Sequence, residues 1–146
     1  MRPNDEVLTA WRLLLETHQR LTGQMDWELR EQHGLRLSWY DVLLQLNEAG
    51  GRMRMHELAD ATLFSRTDCT RIVARMEGAG LVLRERAAED GRGVYAVLTE
   101  AGLAIFRRAA PTHLDGIQRL FGAHVQATEA TVMAKALART LRAPPE

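Results

Sequence analysis

Apolar positions recur with a helical period along most of this chain. Val7, Trp11, Leu14, His18, Leu21, Met25 and Leu29 step by three or four, which predicts one stripe along a helix from about Asp5 to Gln32. Asn4 suits the N-cap, Asp5 and Glu6 the positive first turn, and Gly34 the C-terminal stop. A helix of about 28 residues is long for a chain of 146, and a stripe of that length needs a partner to cover it. Ser38 followed by Asp41 reads as a capping box for a second helix, with Val42, Leu43 and Leu46 facing inward and a stop near Gly50. A short helix over Met55–Ala61 and a tight turn at Leu63 and Phe64 lead to Ser65, which caps a helix from about Arg66 to Glu77. Gly78 or Gly80 stops it.

The period then changes. "LVLRER" and "VYAVLT" predict two short strands joined by a turn rich in charge and glycine. Thr99 opens a long helix to about Phe121, with a bend expected at Pro111. A last helix, roughly Thr128 to Arg142, is expected to bury Val132, Ala136 and Leu137. Roughly two thirds of the chain is helical on this reading, twice the usual share. The fold class is mainly α with a small β-hairpin wing. The chain forms a single domain over residues 1–146, with a winged helix-turn-helix at 36–99 and long amphipathic helices at 1–35 and 100–146.

Composition changes this picture only locally. The chain is 46% hydrophobic, and its formal net charge is zero. Arginine supplies 18 of the 19 basic residues, Lys135 being the exception. A polyanion-binding tail is therefore excluded, and any nucleic-acid contact must come from the face on which each charge sits. Cys69 is the only cysteine, which excludes an internal disulfide and a cysteine-based metal cluster. No apolar run approaches a membrane span, and the N-terminus lacks the apolar stretch of a signal peptide, so a cytoplasmic protein is expected. The five histidines are scattered, and there is no phosphate-cradling glycine loop and no recognisable nucleophile–base spacing. An enzyme is not expected, nor a cofactor or metal.

The helix after Ser65 separates into two faces. Cys69, Ile72, Val73 and Met76 form the inward stripe, while Arg66, Thr67, Thr70, Arg71 and Arg75 occupy the opposite side. Arginine bonds base edges in the major groove, and threonine can meet thymine methyls. The second helix of such a pair is the reader. Asp68 can orient Arg71 or Arg75 or stay solvated, and Cys69 is expected to be a buried structural thiol. At the hairpin tip, Arg92 stands between Gly91 and Gly93. Such a tip can reach an adjacent minor groove, whose negative potential favours arginine. Asp90 can brace the turn by pairing with Arg92, Arg84 or Arg86.

The run "MHELADATLFSRTDCTRIVARMEGAGLVLRERAAEDGRGVYAVLTEAG" resembles the multiple-antibiotic-resistance (MarR) regulators of bacteria. The cap serine, "TRIVARMEGAGLV", the Asp-x-Arg wing and "LT-x-x-G" fall in that family's order and spacing. Arg92 matches its minor-groove arginine, and Gly93 stands in place of a second one. The resemblance implies an obligate homodimer built by the outer helices, binding a pseudo-palindromic double-stranded operator, usually as a repressor. Recognition helices would then stand about 34–36 Å apart. Arg66, Thr67, Thr70 and Arg71 would reach bases, and Ser65, Arg75 and Arg54 would hold phosphates. The resemblance also implies a small aromatic or phenolic effector in a cleft between dimer helices and reading lobe. Trp11, His18, Trp27, His33, Arg36, Trp39 and His113 are the candidates to line it. The alternative is a helical dimerisation and protein-interaction module without DNA binding.

Overall fold

The computed structural model describes residues 1–88, 91 and 93–144. The elements run α1 (Asp5–His33), α2 (Leu37–Glu48), β1 (Arg52–Arg54), α3 (Met55–Ala61), α4 (Arg66–Gly78), β2 (Val82–Arg86), β3 (Val94–Leu98), α5 (Glu100–Leu120) and α6 (Ala127–Arg142), with one 3-10 turn at Gly122–His124. The chain divides into two compact units, Met1–His113 and Leu114–Glu146.

In the first unit, α1 begins and ends as its sequence dictates. Asn4 Oδ1 accepts from the Val7 N–H at 2.9 Å. Gly34 adopts the left-handed conformation, and its N–H reaches the Arg30 carbonyl at 2.9 Å while Leu35 N–H reaches that of Leu29 at 3.3 Å. Two orphan carbonyls are thereby satisfied. The stripe is buried only at its C-terminal end. Leu29 is buried and Met25 and Leu21 half-buried, whereas Val7, Trp11 and Leu14 are 54%, 59% and 41% exposed.

Helix α2 departs from expectation at its start. Its N-cap is Arg36, without a side-chain cap, and Ser38 lies inside the helix. The acceptor comes from α1 instead, since Asp26 Oδ1 takes the Leu37 N–H at 2.9 Å. Asp41, expected to complete a capping box, bonds Gln45. Tyr40, Val42, Leu43 and Leu46 are buried.

The wing has three strands, not two. Strand β1 pairs antiparallel with β3, giving the order β1-β3-β2 and the register Arg52↔Val97, Met53↔Ala96, Arg54↔Tyr95. Thr99 joins the wing to α5: its hydroxyl donates to the Gly80 carbonyl at 2.7 Å and accepts from the Gly102 N–H at 3.0 Å. Gly102 is required for packing, because a Cβ there would run into the Leu81 carbonyl. The core gathers Leu29, Leu35, Leu43, Leu46, Leu58, Val73, Met76, Val82, Ala96 and Phe106 from α1 through α5. Each fully buried Leu, Val or Met there contributes on the order of 1.5–3 kcal/mol.

In the second unit, α6 starts at a capping box between Gln126 and Glu129, one residue before the expected start. Its apolar residues are not buried as expected. Val132 is 68% and Leu137 40% exposed, and Ala136 is half-buried. The helix is amphipathic, and Val132, Met133, Leu137 and Leu141 on it are exposed.

Candidate nucleic-acid interface

Helices α3 and α4 flank the turn at Thr62–Phe64. Ser65 Oγ accepts from the Asp68 N–H at 3.1 Å and so fixes the first turn of α4. Cys69, Val73 and Met76 are buried, which turns Arg66, Thr67, Thr70, Arg71 and Arg75 outward, and all five are exposed. The two-faced helix expected from the sequence is present. The Thr70 hydroxyl donates to the Arg66 carbonyl at 2.9 Å, leaving its oxygen lone pairs and its methyl group for a ligand. Asp68 pairs with Arg71 (Nη2 to Oδ1, 2.6 Å), so it orients that arginine and not Arg75. Both side chains are about half exposed, and such a pair contributes roughly 0–1 kcal/mol. It can be exchanged for a nucleic-acid contact at little cost.

Burial pushes the Cys69 thiol above its usual range, against a smaller opposing effect from the Thr62 hydroxyl. A buried, protonated thiol is a packing group rather than a nucleophile.

Arg84 is tied to α4. Its backbone N–H and its Nε and Nη2 donate to the Glu77 carboxylate at 3.0, 3.1 and 2.9 Å. The Arg84 backbone N–H, then its guanidinium, hold the Glu77 carboxyl below the usual range. This clamp joins the C-terminal end of α4 to β2. Asp90 and Arg92, assigned to the wing tip from the sequence, lie outside the described residues. On either side of Arg92, Gly91 and Gly93 have φ of 63° and 78°, a region other residues rarely adopt. Their positions are held by Gly91 N–H to the Ala87 carbonyl at 3.2 Å and Ala87 N–H to the Gly93 carbonyl at 3.3 Å.

At the root of the wing, the Arg52 and Arg54 guanidinium carbons lie 3.5 and 4.9 Å from the centroid of the Tyr95 ring. Arg52 also approaches Glu85 at 3.9 Å. Arg54, Arg84, Thr70, His56 and Gly93 line a cleft of about 300 Å³.

The proposed effector residues are only partly brought together. His33 Nε2 lies 2.8 Å from Thr112 Oγ1, which also bonds Gln32. Next to Thr112, His113 stacks on Tyr40 with centroids 4.3 Å apart, and burial lowers its pKa. Trp39 packs on the core. Trp11, His18 and Trp27 are exposed, as is Arg36 at the head of α2. Tyr40, Glu77 and Tyr95 were not singled out from the sequence. Glu77 could have been found from its acid–base spacing to Arg84 across the "GAGL" stop, and Tyr95 as the one aromatic of the wing strands.

The family model for the MarR family matches residues 33–93. The structure of AbsC, a MarR family transcriptional regulator from Streptomyces coelicolor, is 38% identical over 97% of this chain and 98% of that one, with a TM-score of 0.88. Sco3205, a MarR family regulator from the same organism solved in complex with DNA, is 28% identical over 97% of this chain and 89% of its own, with a TM-score of 0.90. The homoprotocatechuate degradative operon repressor of Escherichia coli is 35% identical over 79 residues, 54% of this chain and 53% of that protein. The chain thus spans about half the length of the curated relatives it matches. A winged helix-turn-helix with an arginine-rich reading helix, matched over nearly its whole length by AbsC, places this chain in the MarR family of transcriptional regulators.

Proposed function

We propose that the protein is a homodimeric, sequence-specific DNA-binding regulator that represses transcription from a pseudo-palindromic operator, and not an enzyme. The observation that carries this is the exposed face of α4, with three arginines and two threonines opposite the buried Cys69, Val73 and Met76. Arg66, Thr67, Thr70 and Arg71 read base edges. Ser65, Arg75 and Arg54 hold phosphates, and Arg92 enters the minor groove with Arg84 and Asp90 supporting the wing. Sco3205, with its DNA complex, supports this use of the fold. The name of the E. coli relative, a repressor of a degradative operon, supports repression.

Residues 36–99 form the reading lobe, while 1–35 and 100–146 build the dimer. The uncovered apolar residues of α1 and α6 support that division, and a groove on α6 lined by Val125, Val132 and Met133 suits a second copy. A small aromatic or phenolic ligand releases the DNA, with His33 and His113 the strongest of its candidate contacts. Among the described residues no helix is long and apolar enough to cross a membrane, which is compatible with work in the cytoplasm.

Selection of bound duplexes from a random pool, followed by titration over a range of salt, tests the reading. An inverted repeat and a steep fall of affinity with salt are expected. Recovery of no preferred duplex at low salt would leave only the protein-interaction alternative.

A further inference from the structure

Helix α4 carries one group that affinity for DNA does not ask for. Its sequence RTDCTRIVARMEG holds two acids. Glu77, at the end, is engaged by Arg84 of β2. Asp68 lies in the first turn, among Arg66, Thr67, Thr70 and Arg71, with its side chain 47% exposed. A carboxylate in that place is repelled by the phosphates of any duplex, whatever its sequence. A first-turn acid suits the helix dipole. The dipole does not call for a partner, yet Asp68 Oδ1 accepts from Arg71 Nη2 at 2.6 Å.

The pair is set by local geometry. Ser65 Oγ accepts from the Asp68 N–H at 3.1 Å and fixes the turn from which the carboxylate projects. Arg71 stands three residues on, a spacing that brings two side chains together on a helix surface. A guanidinium has five N–H donors, and the carboxylate engages one, so enough remain for guanine O6 and N7. In water the pair is weak, because both partners are solvated. Beside DNA the balance changes. If Arg71 swings away to a phosphate, the carboxylate is left unpaired against a polyanion. If Arg71 bonds a base while keeping Asp68, no charge is stranded.

We propose that Asp68 sets sequence preference through Arg71, holding the guanidinium for base edges and penalising every pose in which it turns to a phosphate. This rests on the DNA-binding reading above and deepens it. Arg71 is the contact residue, and Asp68 is a positioning residue that acts through it. The carboxylate gives up affinity for all duplexes and gains discrimination among them, so its removal should tighten binding to the wrong sequence.

The test titrates the intact protein and its Asp68→Asn, Arg71→Ala and Asp68→Asn/Arg71→Ala variants with a selected duplex, its single-base substitutions and a scrambled duplex at several salt concentrations. Thermal melts run alongside, and Asp68→Ser replaces Asp68→Asn if the latter unfolds early. Asp68→Asn is expected to bind the scrambled duplex about three- to tenfold more tightly. On that duplex its slope of log K against log salt should steepen by about 0.9, the mark of one more phosphate neutralised. Preference should relax at the base pair that Arg71→Ala also relaxes, and Asp68→Asn should relax nothing further in the Arg71→Ala background. A residue that only stabilised the helix start would lower the melting temperature and leave slope and preference alone. The inference is overturned by that pattern, or by an equal change of slope with and without Arg71. Preference lost at a different base pair also overturns it, since Asp68 would then be a base contact itself. A parent protein that binds no duplex at all overturns the regulator reading, a result that the parent titration alone tells apart from these.

Discussion

Helices α4 and α6 are both amphipathic, yet they solve the burial problem differently. Helix α4 buries Cys69, Val73 and Met76 within its own chain and leaves a polar, arginine-rich face to solvent. Helix α6 buries no residue fully, and Val132, Met133, Leu137 and Leu141 are exposed. The same contrast runs along α1, where Leu29 is buried and Trp11 is exposed. The exposed face of α4 is polar and stable in water, so its chemistry is available to a ligand. The exposed face of α6 is apolar, and a monomer would carry it at a cost. The reading lobe completes its core with Leu29 of α1 and Phe106 and Ala109 of α5, whereas the remaining apolar faces of the outer helices are finished by a second copy in the proposed dimer.

The sharpest way to break that contrast is to charge the uncovered face. Val132→Glu together with Leu137→Glu should dissociate the dimer while leaving the lobe folded, since neither residue is in the core. Without paired half-site binding, operator affinity should fall on the order of 10²–10⁴-fold. Sedimentation and duplex titration of the same sample check both parts. A variant that stays dimeric would place the interface elsewhere. The complementary change is inside the lobe. Met76→Ala empties a fully buried site and should lower unfolding stability by about 2–5 kcal/mol in urea titrations, with the protein still dimeric where folded. Next in size is Arg71→Ala on the exposed face. It should leave stability nearly unchanged, because its partner Asp68 is itself solvated. It should weaken the selected operator by about 1–3 kcal/mol and relax preference at one position in each half-site. An equal weakening on all duplexes would make Arg71 a phosphate contact instead.

What was legible in the sequence follows the range of the interactions involved. The helices and the two faces of α4 were readable because the 3.6-residue period is local. The caps at Asn4, Ser65 and Thr99 were readable because each acceptor lies three residues from its donor. Ser38 misled because a residue 11 positions away, Asp26, supplied the acceptor for α2. Strand β1 escaped because three residues reading Arg-Met-Arg carry too little periodicity, and its pairing with β3 is long-range. The same reason hid the stack of Arg54 on Tyr95. Val132 and Leu137, expected to be buried, are exposed, since a periodic stripe says that a face needs cover and not which chain supplies it.

The smallest effect concerns the junction where α1, α2 and α5 meet. His113 stacks on the buried Tyr40, beside Thr112, which holds His33. Burial depresses the His113 pKa, so the unfolded chain takes up a proton first as pH falls. Stability from this group is full above the unfolded value of about 6.5 and is lost as pH drops through the depressed folded value. Asp41 works in the opposite sense, because burial raises its carboxyl and the folded state protonates first. The raw pH profile therefore mixes the two. Comparison with His113→Phe separates them, since phenylalanine keeps a ring against Tyr40 and cannot titrate. Urea titrations between pH 8 and 5 should show the parent losing stability below about pH 6.5 and the variant losing less. Parallel curves would mean that the His113 ring is as well solvated folded as unfolded, and that the α1–α2–α5 junction is looser than its stacking distance implies.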